Sequence, residues 1–141
     1  MVKHDDPVEN LARLLRLHLG DALAPAERFS DMFTPDGVLE FPYAPEGFPA
    51  RLEGRREIAS HARMVSELLS IGEMLDAEAL VNQEGTRAML EFRGEGLARA
   101  TGKPYRQRYV SVITLRDGRI ALYRDYWNPL VVIAAMEGNR T

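Results

Sequence analysis

The hydrophobic pattern of this chain changes period once, near Gly72, and that switch decides what it can fold into. Before it, apolar positions recur at helical spacing: Val8, Leu11, Ala12, Leu15, Leu19 and Ala22, and later Ile58, Ala62, Val65, Leu68 and Leu69. After it, residues alternate with period two through 75–81, 86–97, 105–115 and 119–127, which read as strands. Asp117-Gly118 is a strong two-residue hairpin turn and Thr101-Gly102 a weaker one. Helices first and a meander of strands afterwards is the α+β order. The expected architecture is a curved antiparallel sheet wrapped as a cone around three N-terminal helices, with an apolar pocket inside.

Local signals place the other elements. Asp6-Pro7-Val8-Glu9 resembles a capping box with Pro at the first helical position, and Gly20-Asp21 closes that helix. A short second helix is expected over 25–33, with Phe29, Met32 and Phe33 on one side, followed by a turn at Thr34-Pro35-Asp36-Gly37. A strand over 38–43 leads into a Pro-rich shaped loop, a short strand over 51–53 pairs back, and Gly54 opens the third helix. Gly94-Glu95-Gly96 inside a strand reads as a bulge or bend, not a phosphate loop.

A length of 141 residues fits one domain, 1–141, with enough buried surface for a core. The absence of Cys removes disulfides and thiolate chemistry and suits a reducing, cytoplasmic setting. The start carries no apolar leader pattern, and the longest apolar run, 130–136, falls far short of the roughly 20 residues that span a bilayer. A net charge of −3 disfavours a nucleic-acid binder. The basic excess between Arg87 and Arg108 reads as a charged strand edge or an anion-attracting patch. The three His are far apart with no ligand spacing, so no metal is expected. Carboxylate and imidazole remain as proton carriers.

A tight turn at Asp117-Gly118 pairs Arg116 with Arg119 and, if the ladder continues unbroken, Val112 with Tyr123 and Val110 with Asp125. One face then carries Arg108, Val110, Val112, Thr114, Ala121, Tyr123, Asp125 and Trp127; the other carries Tyr109, Ser111, Ile113, Leu115, Ile120, Leu122, Arg124 and Tyr126. The first is expected to face the pocket. The second is expected to meet another copy of the chain, because large apolar sheet faces mark interfaces. A bulge would exchange these faces locally.

Asp125, mid-strand among apolar neighbours, is either a carboxyl of raised pKa suited to general acid–base work or the salt-bridge partner of Arg108 or Arg124. His61, inside an apolar helical stripe, is either a proton shuttle facing the pocket or a core histidine with one backbone partner. His18 poses the same question, His4 sits near the start of the chain, and Glu40 is a pocket or solvent residue on the first strand.

Several segments then combine: Asp36-Gly37-Val38-Leu39-Glu40-Phe41-Pro42, Gly54-Arg55-Arg56-Glu57-Ile58, and 117–129 ending Tyr123-Arg124-Asp125-Tyr126-Trp127-Asn128-Pro129. Nearly the whole chain resembles the nuclear transport factor 2-like superfamily and is most similar to SnoaL-like proteins of the phenazine-biosynthesis A/B branch. The resemblance implies a homodimer of cones, each with a buried small-molecule pocket. It also implies an acid–base role for Asp125, which stands where those proteins carry Glu, with His61 beside it. The steroid isomerases of the superfamily differ: Phe41, Val112 and Arg13 or Leu14 stand where their functional residues fall, so their mechanism is not expected.

The combined expectation is a cofactor-independent isomerase, dehydratase, cyclase or condensation enzyme acting on an apolar or aromatic carbonyl metabolite. Asp125 and His61 would be catalytic, and Tyr123, Trp127, Arg108, Val112 and Glu40 would bind substrate. The alternative is a non-catalytic ligand-binding or dimerisation module, in which Asp125 pairs with Arg108.

Overall fold

The computed structural model describes residues 5–137. Helix α1 (Pro7–Leu19) starts as its sequence signals: the Asp6 carboxylate accepts from the Val8 and Glu9 N–H groups at 3.0 and 3.3 Å, and Pro7 occupies the first turn. Its buried stripe includes Ala12, Leu15 and Leu19. Strand β1 (Phe33–Glu40) and the short β2 (Arg51–Glu53) precede helix α2 (Gly54–Leu68), then come β3 (Leu69–Val81), β4 (Arg87–Ala98), β5 (Pro104–Arg116), β6 (Arg119–Trp127) and helix α3 (Pro129–Met136).

The fold is α+β, with three helices and one curved, unclosed six-stranded sheet of order β2-β1-β6-β5-β4-β3. Two details differ from expectation. The sheet is mixed, because β1 runs parallel to β6. The third helix is α3, after the sheet, and segment 25–33 holds only a 3₁₀ turn at Ser30–Met32. Its first carbonyls, and that of Ala24 just before it, are taken elsewhere: the Arg119 guanidinium donates to Ala24 O and Pro25 O, and that of Arg16 to Ala26 O and Glu27 O. These side-chain donors replace the amides a helix would offer. Phe29, Met32 and Phe33 are nonetheless buried. The Thr34–Gly37 turn signal lies within β1, where the register to β6 shifts between Phe33 and Val38.

Curvature comes from register breaks. Strand β3 carries an extra residue opposite β4 between Ile71 and Glu73, and another between Leu75 and Glu78, where Asp76 has a positive φ of 55°. The Gly94-Glu95-Gly96 segment lies on β4 against these breaks. A Cβ on Gly96 would collide with the Ser70 carbonyl oxygen, so glycine lets β3 bulge against it. Leu15, Phe33, Ile58, Leu90, Ile113 and Tyr123 belong to the main core, while Val132 and Ala135 of α3 pack with Leu69, Ile71 and Tyr105 in a second cluster. The apolar segment 130–136 therefore packs one face, Val132 and Ala135, on its own chain and leaves Leu130 and Ile133 exposed.

Candidate active site

The ladder of the last hairpin decides which side chains reach the interior. Arg116 pairs with Arg119 and Leu115 with Ile120, but the next pair is Thr114 with Leu122, so β6 holds one extra residue. Beyond this bulge, Ile113 faces Tyr123, Ser111 faces Asp125 and Tyr109 faces Trp127. The expected faces of β5 are therefore exchanged. Tyr109, Ser111, Ile113 and Leu115 point inward with Tyr123, Asp125 and Trp127, while Arg108, Val110, Val112 and Thr114 point outward with Leu122, Arg124 and Tyr126. A partner copy docking on the outer face would meet Val112 and Tyr126, not Tyr109 and Ile113.

Between α2, α3 and the inner sheet face lies a cavity of about 140 Å³ with mostly apolar walls. It is close to the size of an engineered cavity of about 150 Å³ that takes benzene. Asp125, His61, Trp127, Tyr123, Tyr105 and Tyr109 bring polar groups to its lining, and four phenylalanines, Phe29, Phe41, Phe48 and Phe92, add further aromatic wall. The stripe of α2 is only partly buried, because His61, Ala62, Val65 and Leu68 wall the cavity instead of filling a core; Ile58, also in the wall, is the buried member.

Asp125 is crowded by protein, and the surface it keeps faces the cavity. Burial pushes its carboxyl up to about 7. Among the described residues no group hydrogen-bonds or ion-pairs with it: Arg108 pairs with Glu91 at 3.6 Å and Arg124 with Glu40 at 3.1 Å, both on the outer side. The salt-bridge alternative is thereby corrected, since β6 turns Asp125 away from both arginines. His61 lines the same cavity, with its ring 5.0 Å from that of Phe41, which in turn lies 5.9 Å from Trp127. Burial lowers the imidazole pKa, which keeps the ring neutral at pH 7. Tyr123 is fully buried, and its hydroxyl is shared with Ser111 at 2.6 Å, so it offers the cavity a ring.

Three residues expected to bind substrate lie outside the cavity. Arg108 and Val112 are carried outward by the bulge, and Glu40 is held by Arg51 at 2.7 Å and by Arg124 at 3.1 Å. His18 is not among the cavity-lining residues, and His4 lies outside the described residues. Tyr105 and Tyr109 line the cavity although the unbroken register assigns Tyr109 to the outside. Arg106, Arg108 and Arg124 carried the missing signal: all three can be solvated together only if the hairpin contains an odd residue. Among the described residues no three potential metal ligands of the His, Cys, Asp or Glu type come together, and no helix is long and apolar enough to cross a membrane.

Three helices on one curved, unclosed mixed sheet is the fold of nuclear transport factor 2-like proteins. The SnoaL-like domain profile matches residues 20–123, and the chain belongs to the SnoaL-like family. It is 43% identical over 113 residues to an uncharacterized PhzA/B-like protein of Pseudomonas aeruginosa, covering 80% of this chain and 79% of that one. A solved Bacillus subtilis protein that carries a provisional isomerase name is 34% identical, with a TM-score of 0.75, covering 99% of this chain and 98% of that one. A phenazine biosynthesis-related protein of Pseudomonas aeruginosa shares the fold at 17% identity, with a TM-score of 0.69 and coverage of 96% and 88%.

Proposed function

We propose that the cavity binds a small aromatic or apolar carbonyl compound and that Asp125 moves a proton on it without a cofactor. The observation that carries this reading is the Asp125 carboxyl, facing an aromatic cavity with no hydrogen-bond or ionic partner among the described residues. A structural carboxylate is held by donors, whereas this one is left free and poised to exchange a proton near neutral pH. Neutral His61 can orient the ligand through a ring nitrogen, and Trp127 and Tyr123 supply flat walls. Isomerisation, dehydration, cyclisation and imine-forming condensation all use such a proton transfer.

Deuterium incorporation at the α-carbon of acetophenone and phenylacetone in D₂O, followed by NMR, tests the chemistry without knowledge of the natural substrate. The parent protein is expected to accelerate exchange over buffer, and Asp125→Asn to lose on the order of 10²- to 10⁴-fold of that acceleration. Bound ketone with no accelerated exchange would instead identify a non-catalytic binding module, and equal acceleration in the variant would remove Asp125 from the chemistry.

A further inference from the structure

Beside Asp125 lies a set of hydrogen bonds that the proton-transfer reading does not use. The Gln107 amide is locked at both ends by Asn128, whose N–H donates to Oε1 at 2.9 Å and whose carbonyl accepts from Nε2 at 2.9 Å. These two bonds fix the amide orientation, because a flip would set donor against donor and acceptor against acceptor. Asn128 is itself fixed as the cap of α3, accepting from the Leu130 N–H at 2.9 Å. Gln107 Nε2 therefore also points its donor at the Tyr105 hydroxyl, 3.3 Å away.

The Tyr105 and Tyr109 hydroxyl oxygens lie 3.0 Å apart. Each hydroxyl has one proton, so the pair has two possible polarities. If Tyr109 donated to Tyr105, the Tyr105 proton would have no acceptor among the described residues. Tyr105 is only 2% exposed, so that proton would be stranded in the interior without a partner, which is costly. If Tyr105 donates to Tyr109, the proton left over belongs to Tyr109, which lines the cavity and keeps accessible surface there. The second polarity strands no proton in the interior and leaves the one free donor at the cavity.

We infer that Tyr109 is the cavity's hydrogen-bond donor to a ligand carbonyl oxygen, its proton aimed inward by a one-way chain from Gln107 through Tyr105. The inference rests on the carbonyl reading of the cavity for the identity of that oxygen. Geometry holds the ring in place: it stacks on Phe92 with centroids 5.0 Å apart and lies over Gly94, where a Cβ would come within 3.2 Å of its edge. Burial, and after it the neighbouring Tyr105 hydroxyl, hold the Tyr109 pKa well above the ordinary phenol value, so the group stays a donor across the working pH range. Tyr109 would touch the ligand, while Tyr105 and Gln107 are positioning residues.

Acetophenone and ethylbenzene, nearly the same shape, differ in having or lacking the carbonyl acceptor. Their dissociation constants are measured by calorimetry on the full chain at about pH 8.5, where Asp125 has no proton to donate. The parent is expected to prefer acetophenone by about tenfold more than water-to-hydrocarbon transfer explains. Tyr109→Phe should abolish that excess and Gln107→Leu should reduce it, with ethylbenzene affinity unchanged in both as the sign of an intact cavity. No excess in the parent, or the same excess in Tyr109→Phe, would overturn the donor assignment. Excess preference without deuterium exchange leaves the donor standing and removes catalysis; exchange without excess preference does the reverse.

Discussion

At pH 8.5 the Asp125→Asn variant should be more stable than the parent by on the order of 4 kcal/mol, and the gap should close as pH falls towards 4. The unfolded carboxyl ionises near 3.8 and the folded one near 7. Between these values the folded protein holds a proton that the unfolded chain has released, so parental stability falls as pH rises and levels off above 7. The Asn side chain has nearly the same shape and no such dependence. His61 contributes the opposite slope: burial lowers its pKa, so stability is lost as pH falls below its ordinary value of 6.5. That slope is common to both proteins and cancels in their difference. Urea unfolding at pH 4, 6 and 8.5 measures it, and parallel curves would mean that the carboxyl is solvated or paired. A stability penalty stored at a site that gains function from it is an expected feature of enzymes.

The second large effect concerns the wall of the cavity. Gly96→Ala should destabilise the protein by at least about 3 kcal/mol, lowering Tm by roughly 10 °C. Its Cβ would overlap the Ser70 carbonyl oxygen and crowd Ser70 C and Ile71 Cα at 2.7 and 2.8 Å. All three are backbone atoms of β3, which cannot rotate aside, so β3 must leave its register with β4. Ile71 and Leu69 line the cavity, and ligand affinity should fall with stability. Gly72, on the bulge opposite, has open space around its Cβ position, so Gly72→Ala should shift Tm little. Thermal unfolding of the two variants side by side separates a steric clash from a general intolerance of β3.

How far the sequence revealed this site depends on a single residue in β6. Asp117-Gly118 set the turn correctly, and Arg116 does pair with Arg119. The bulge after Ile120 has no glycine or proline to announce it, and one residue of slip exchanges the two faces of β5. Asp125, Tyr123 and Trp127 share one strand beyond the bulge and keep their mutual alternation whatever the register, so the sequence puts them on one face together. Arg108, Val112 and Tyr109 take their side from pairing across the hairpin, so an unbroken ladder sends the first two inward and Tyr109 outward, the reverse of what the bulge produces. The helical period puts His61 on the inward stripe of α2 but does not distinguish a cavity wall from a filled core, because both bury the same face. The network of Gln107, Tyr105 and Asn128 was not legible, because it joins a strand to a helix cap 21 residues away. Segment 25–33 failed for a related reason: its carbonyls are claimed by arginines from α1 and β6.

The account turns on an unpaired carboxyl in an apolar cavity, and the Asp125 side chain reports on it directly. A ¹³C NMR titration of the carboxyl carbons, with the Asp125 resonance assigned by its loss in Asp125→Asn, should give a midpoint near 7. A midpoint near 4 would show a solvated or ion-paired carboxylate and would contradict the proposed acid–base role.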